Sequence, residues 1–137
     1  MAPEDLGERT FRFACDVVKY CRELSKEAGV VRNIAWQLSE AGTSAAANYQ
    51  EAKGAYSRRE FAAKNSIVLK ELRESKLWLR VIVACELGLP AEPKRLLKEA
   101  DELVAIFTTS MKRLHPIGKL LLVLFVLVTC YLSVLTS

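Results

Sequence analysis

The stretch TSAAANYQEAKGAYSRREFAAKNSIVLKELRESKLWLR, residues 43–80, decides the fold class. From Phe61, the residues Asn65, Val68, Leu72, Ser75, Leu79 and Ile82 recur at alternating steps of four and three. That period puts them on one stripe of a helix. Just upstream, Ser57-Arg58-Arg59-Glu60 has the S-x-x-E form of a capping box. Ser57 is expected to accept from the Glu60 amide, with the Glu60 side chain reaching back to the Ser57 amide. A helix therefore starts at this point and continues to about Leu87, where Gly88-Leu89-Pro90 stops it.

Working back toward the N-terminus, a second stripe runs through Ile34, Leu38, Ala41, Ala45, Asn48, Ala52 and Ala55, on a helix from about Val31 to about Ala55. Its centre, AGTSAAAN, is built of small residues, which let a neighbouring backbone come close; the tightest helix contact is expected here. Gly42 costs that helix about 1 kcal/mol, which packing has to offset. A first helix, from about Glu4 to about Ala28, carries Leu6, Thr10, Phe13, Val17, Tyr20, Leu24 and Ala28 on one line, with Gly29 as its left-handed stop. Toward the C-terminus, a fourth starts near Pro93 and carries Leu97, Ala100, Val104, Phe107, Met111 and Leu114. Four amphipathic helices with short connections specify an all-α, up-down four-helix bundle over residues 1–115.

Residues 116–137 are different in kind. LLLVLFVLVTCYLSVLTS, residues 120–137, holds no charge and shows no amphipathic period. As an additional helical segment it spans roughly 27 Å, the short end of what a bilayer needs. Lys112, Arg113 and Lys119 precede it, as the positive-inside tendency asks of a cytoplasmic domain. Three readings stand: a membrane tail anchor making contact through residues 120–137, a further helix packed in an oligomer, or a terminus from an altered reading frame.

With 6 Gly and 4 Pro in 137 residues, breakers are scarce. Cys15, Cys21, Cys85 and Cys130 lie among apolar neighbours and form no CxxC pair, and His115 is the single histidine. A Cys/His metal site is not expected, nor any other cofactor, and the thiols read as small buried hydrophobes in a reducing compartment. The opening MAPEDLGERT has no apolar signal core, so a cytoplasmic location is expected. No nucleophile, base and orienting group can be assembled, and no glycine-rich phosphate loop follows a strand. An enzyme is the weakest of the function classes.

What the sequence does concentrate is positive charge. The formal net charge is +4, and Lys53, Arg58, Arg59, Lys64, Lys70 and Arg73 are candidate nucleic-acid-binding residues. Lys76 and Arg80 continue the run, against Glu60, Glu71 and Glu74. Phosphate contacts need only cations held at a surface, and exposed amides at the start of the third helix add to the attraction. The bland alternative is a solvated face in which Glu71 and Glu74 pair with Lys70, Arg73 and Lys76. Aromatic residues for base stacking are few: Tyr49, Tyr56 and Trp78. Asn48, on an apolar line, and Glu51, a turn beyond, are expected to hydrogen-bond within the bundle or across a subunit contact, fixing register; a binding role is the alternative.

These residues also resemble a known family. Asp5-Leu6, Arg9-Thr10, Phe13-Ala14, Gln37-Leu38, Ala47-Asn48-Tyr49, Glu51-Ala52, Ser57, Phe61, Lys64, Lys70-Glu71 and Trp78-Leu79 fall in order and at the spacing of the 23S ribosomal RNA intervening-sequence proteins. That group includes the Avd-like accessory proteins of diversity-generating retroelements, and the likeness runs from about Asp5 to about Ser110. The resemblance implies a homo-oligomer, specifically a pentamer, with a basic surface. It implies nucleic acid as partner, RNA ahead of DNA, and for retroelement members a reverse transcriptase. The competing function is a protein-interaction scaffold, tethered to a membrane by the tail. Similar proteins end soon after the fourth helix, so the apolar tail departs from the pattern.

Overall fold

The structure, a computed structural model, describes residues 5–114. His115, Cys130 and the apolar segment 120–137 lie outside the described residues, and so does the boundary at 115/116. Among the described residues no helix is long and apolar enough to cross a membrane.

Four helices follow one another: α1 (Leu6–Leu24), α2 (Val30–Lys53), α3 (Arg58–Ala84) and α4 (Ala91–Leu114). They pack as an up-down bundle in the order α1, α2, α3, α4, closed by a looser α1–α4 seam. Side chains tie the ends together. At one end the Tyr20 hydroxyl donates to the Leu87 carbonyl at 3.2 Å. At the other, Lys53 donates to Asp5 at 3.2 Å and Arg58 to the Arg113 carbonyl at 3.4 Å.

The core is aliphatic, with a few rings. Val17, Leu38, Val68, Leu72, Leu79, Ile82, Leu96, Leu103 and Phe107 are fully shielded from solvent. Tyr49 of α2 meets Phe107 of α4 edge to face, the ring centroids 5.2 Å apart. Three polar residues share this interior, and each satisfies itself on its own helix. Thr10 donates to Leu6, Asn65 to Phe61 and Ser75 to Glu71, at 2.7, 2.8 and 3.0 Å. Such i−4 bonds remove the penalty of an unpaired buried donor.

Most of the expected stripes are the buried ones, but α4 is rotated. Leu96 and Leu103 are its buried leucines, while Leu97 and Val104 are only half-buried. Either line fits a helical period; the choice falls to how α4 docks on α3. The cysteines also divide. Cys21 is buried, which pushes its thiol up to about 12. Cys15 is half-buried and Cys85 exposed, so the reading of all these thiols as core hydrophobes is corrected.

Two helix ends fall short of their expected places. α1 stops at Leu24 rather than Ala28, through tightened turns in which Lys26 donates to Glu23 and Glu27 to Leu24. Ala28 is exposed, and Gly29, at φ 72, begins α2 instead of ending α1. α3 stops at Ala84 rather than Leu87. There the Leu87 amide donates to the Ile82 carbonyl at 3.0 Å and the Glu86 amide to Val83 at 3.3 Å. This is the paired closure of a Schellman ending, with Glu86 at φ 53 in the left-handed position usually held by glycine. Among the described residues the Glu86 carboxylate meets no hydrogen-bond or ion-pair partner, and a left-handed side chain costs about 1 kcal/mol. Glu86→Gly is therefore expected to raise stability by up to about 1 kcal/mol, read as a higher urea midpoint at unchanged slope.

Of the small-residue centre of α2, Gly42 lies close against α1, while Thr43 and Ala47 are exposed. A Cβ on Gly42 would stand 3.0, 3.3 and 3.4 Å from three carbons of Val17. Val17 is fully buried and branched at Cβ, so no rotamer swings clear. Gly42→Ala gains about 1 kcal/mol of helix propensity but overpacks by about 1–3 kcal/mol. A net loss near 1 kcal/mol is expected. In a Val17→Ala background the same change is expected to stabilise, and that reversal of sign in a double-mutant cycle is the check.

Candidate nucleic-acid interface

The start of α3 sets the orientation of the basic residues. Ser57 caps it, its hydroxyl accepting from the Glu60 amide at 3.1 Å. The Glu60 carboxylate takes the Tyr56 amide at 3.0 Å rather than that of Ser57, one residue further back than a standard capping box.

The cations picked from the sequence do not share one surface. Lys53 reaches across to Asp5 of α1. The Gly7 amide and Lys53 together hold the Asp5 carboxyl below its ordinary range. Lys64 is bound to Glu51 of α2. Arg58 points to the end of α4, where its guanidinium meets the Arg113 carbonyl. These three serve the closed end of the bundle.

Arg59, Lys70 and Arg73 lie elsewhere, on the outer face of α3, and the structure adds Arg80 to them. At about 100° per residue, Arg59, Lys70, Arg73 and Arg80 fall within roughly 60° of one line along the helix, the line of Leu77. All four are exposed. Lys70 approaches Glu71 at 3.5 Å, but among the described residues Arg59, Arg73 and Arg80 meet no carboxylate. The row is roughly 32 Å long from first to last Cα. Ile67 and Leu77, 38% and 51% exposed, stand among the cations. The i, i+11, i+14 and i+21 spacing on the polar face was the signal that would have separated this row from Lys53 and Lys64.

The carboxylates of α3 do not form the dense pairing anticipated for a solvated face. Lys76 goes to Asp101 of α4 at 2.6 Å, and Glu74 accepts from the Trp78 ring nitrogen at 3.4 Å. Of the three aromatic residues considered for stacking, Trp78 and Tyr49 are half-buried and Tyr56 is 99% exposed.

Asn48 and Glu51 both bond within the bundle, Asn48 on its own helix and Glu51 across to α3. Asn48 donates to the Ser44 carbonyl at 2.9 Å, within α2. It sits at a half-buried position, and among the described residues its side chain bonds only within α2. Glu51 is an exposed ion-pair partner for Lys64.

The denser electrostatic work is on the α1–α4 seam. Arg9 binds Glu99 through two bonds at 2.7 and 2.9 Å and Glu102 at 2.5 Å, so its guanidinium is held more firmly protonated. Arg95 likewise joins Glu92 and Asp16. Among the described residues no three His, Cys, Asp or Glu side chains converge as metal ligands.

Two comparisons with known proteins match this fold, and no curated protein matches the chain. A crystal structure of a protein of unknown function from the S23 ribosomal protein family of Bacteroides thetaiotaomicron is 26% identical, with a TM-score of 0.71. The match covers 79% of this chain and 99% of that one. The profile of the 23S rRNA-intervening sequence proteins matches residues 5–109. Those residues take in all of α1, α2 and α3 and most of α4, and on that match the chain belongs to the 23S rRNA-intervening sequence protein family.

Proposed function

We propose that this chain is a non-enzymatic, homo-oligomeric protein that binds nucleic acid, RNA in preference to DNA, through the outer face of α3. The observation that carries the reading is the row Arg59, Lys70, Arg73 and Arg80, exposed on one helix face, with three guanidinium groups that meet no carboxylate among the described residues. Paired cations have their charge already answered; these three do not, and they are the groups a phosphate backbone would neutralise. Arginine also suits phosphate by its fork geometry. The family's name, which refers to an intervening sequence of 23S rRNA, supports RNA over DNA. The pentameric assembly and a reverse transcriptase partner enter on resemblance alone.

The test is fluorescence anisotropy of the full-length chain with a labelled RNA hairpin and the DNA of the same sequence. From about 50 to 200 mM salt, log K is expected to fall linearly with log salt, by about 0.9 per phosphate contacted on a duplex. No binding to either at the lowest salt overturns the reading.

A second reading, a protein-interaction scaffold, is favoured by a separate observation. Large apolar side chains stand in solvent on α1 and α2, Phe11 at 52% and Trp36 at 68% exposure. They are far from the α3 row in sequence and on different helices.

A further inference from the structure

α1 and α2 form a groove along their outer side, lined largely by apolar and small side chains. Phe11 and Val18 of α1 stand over Ala46 and Ala47 of α2 in one half. Val18 continues into the other half, where Trp36 closes the floor. Phe11, Val18 and Trp36 are 52%, 42% and 68% exposed. On α2, positions 36, 43, 46, 47 and 50 share one stripe; on α1, positions 11, 15, 18, 22 and 25 do the same. Each stripe is about 21 Å long at 1.5 Å per residue, four turns of a helix laid beside it.

The rim is charged with one sign. Lys19, Arg22 and Arg32 line the groove, and no Asp or Glu does. Lys19 and Arg22 have carboxylates of their own helix at 3.6 and 3.4 Å, long and solvent-exposed contacts. Among the described residues Arg32 meets the Ser25 carbonyl, at 3.3 Å, and no carboxylate. An apolar floor of this size offers little to a phosphate backbone. It does suit an apolar stripe, and the rim suits carboxylates flanking that stripe. Exposed Trp, Phe and Arg together are the residue types that dominate binding energy at protein interfaces.

We propose that the α1–α2 groove docks an amphipathic helix of a partner protein whose apolar stripe is flanked by Asp and Glu. The helix lies along the groove for about four turns. Its apolar residues fill the floor at Ala46 and Ala47 between Phe11 and Trp36, and its carboxylates face Lys19, Arg22 and Arg32.

Trp36 reports on this directly. In a full-length Trp78→Phe variant it is the only tryptophan. The probes are two synthetic amphipathic peptides with the same leucine stripe, one flanked by Glu and one by Lys. The Glu-flanked peptide is expected to shift Trp36 emission to the blue and to bind at least about tenfold tighter than its Lys-flanked twin, the scale of one or two well-placed charge contacts. Val18→Glu is expected to abolish the shift, and Arg22→Glu with Arg32→Glu to reverse the preference. All three positions are on the surface, and unchanged helicity separates loss of binding from unfolding.

Equal affinity for the two peptides, or no shift with either, overturns the proposal. So does Trp36 emission already blue-shifted in the protein alone. In that case a mass that falls to one chain on Val18→Glu assigns the groove to a second copy. A mass of one chain throughout assigns it to the protein's own residues 120–137.

Discussion

Phe107→Ala is expected to lower the free energy of unfolding by about 4 kcal/mol, from the usual cost of removing a buried ring. Phe107 is fully shielded, and its ring meets Tyr49 edge to face across the bundle from α4 to α2. Truncation removes the transfer term of the ring, leaves a cavity in the bundle core, and forfeits an aromatic contact of about 1 kcal/mol. Against a total of 5–15 kcal/mol, typical of a domain this size, the variant sits near the edge of folding. Two controls give the measurement its meaning. Phe107→Leu keeps most of the volume and is expected to cost roughly 1–2 kcal/mol. Ile106→Ala, next in sequence but 37% exposed, is expected to cost about 1 kcal/mol or less. Urea denaturation at equal slopes reads all three. A loss below about 1 kcal/mol for Phe107→Ala would mean that α4 does not close the bundle over α2.

Phe107 also shows how far the sequence reaches. Its place on an apolar line was legible from the period of α4, and its burial follows. Leu97 and Val104 were legible on the same line and are half-buried instead. The sequence around them, LLKEADELVA, offers adjacent apolar residues at 96/97 and 103/104, and period alone cannot rank neighbours. Which of each pair turns inward is decided by the docking angle of α4 on α3, a tertiary quantity. Helix starts with side-chain caps were readable, as Ser57 shows, because capping is local chemistry. Helix ends were less so. Gly29 and Gly88 looked like stops, yet α3 closes at Glu86, where the tertiary bond from Tyr20 to Leu87 fixes the turn.

The candidate interface was legible as a charge run but not as a surface. Lys53 and Lys64 carry the same positive charge at neutral pH as Arg59 and Arg73. What separates them is Asp5 and Glu51, carboxylates that the fold brings from 48 and 13 residues away. A local reading of charge counts all four alike.

That separation makes the larger of the binding predictions. Replacing Arg59, Arg73 and Arg80 together with glutamine is expected to weaken RNA binding by about 10²-fold or more near 0.1 M salt. The salt slope is expected to shrink by about 2–3, since each phosphate contact on a duplex contributes about 0.9. Glutamine keeps length and helix propensity, and all three sites are exposed, so the unfolding midpoint is expected to move little. The matched control replaces Lys53 and Lys64 with glutamine. Its charge change is of similar kind, but these lysines already answer Asp5 and Glu51, so affinity is expected to change by less than about threefold. A scaffold that touches RNA only through diffuse charge would lose affinity in proportion to the number of cations removed, wherever they stood. The α3 reading requires the loss to follow position. If the Lys53 and Lys64 variant is the weaker binder, the nucleic-acid surface is the closed end of the bundle, and the row on α3 is a solvated helix face.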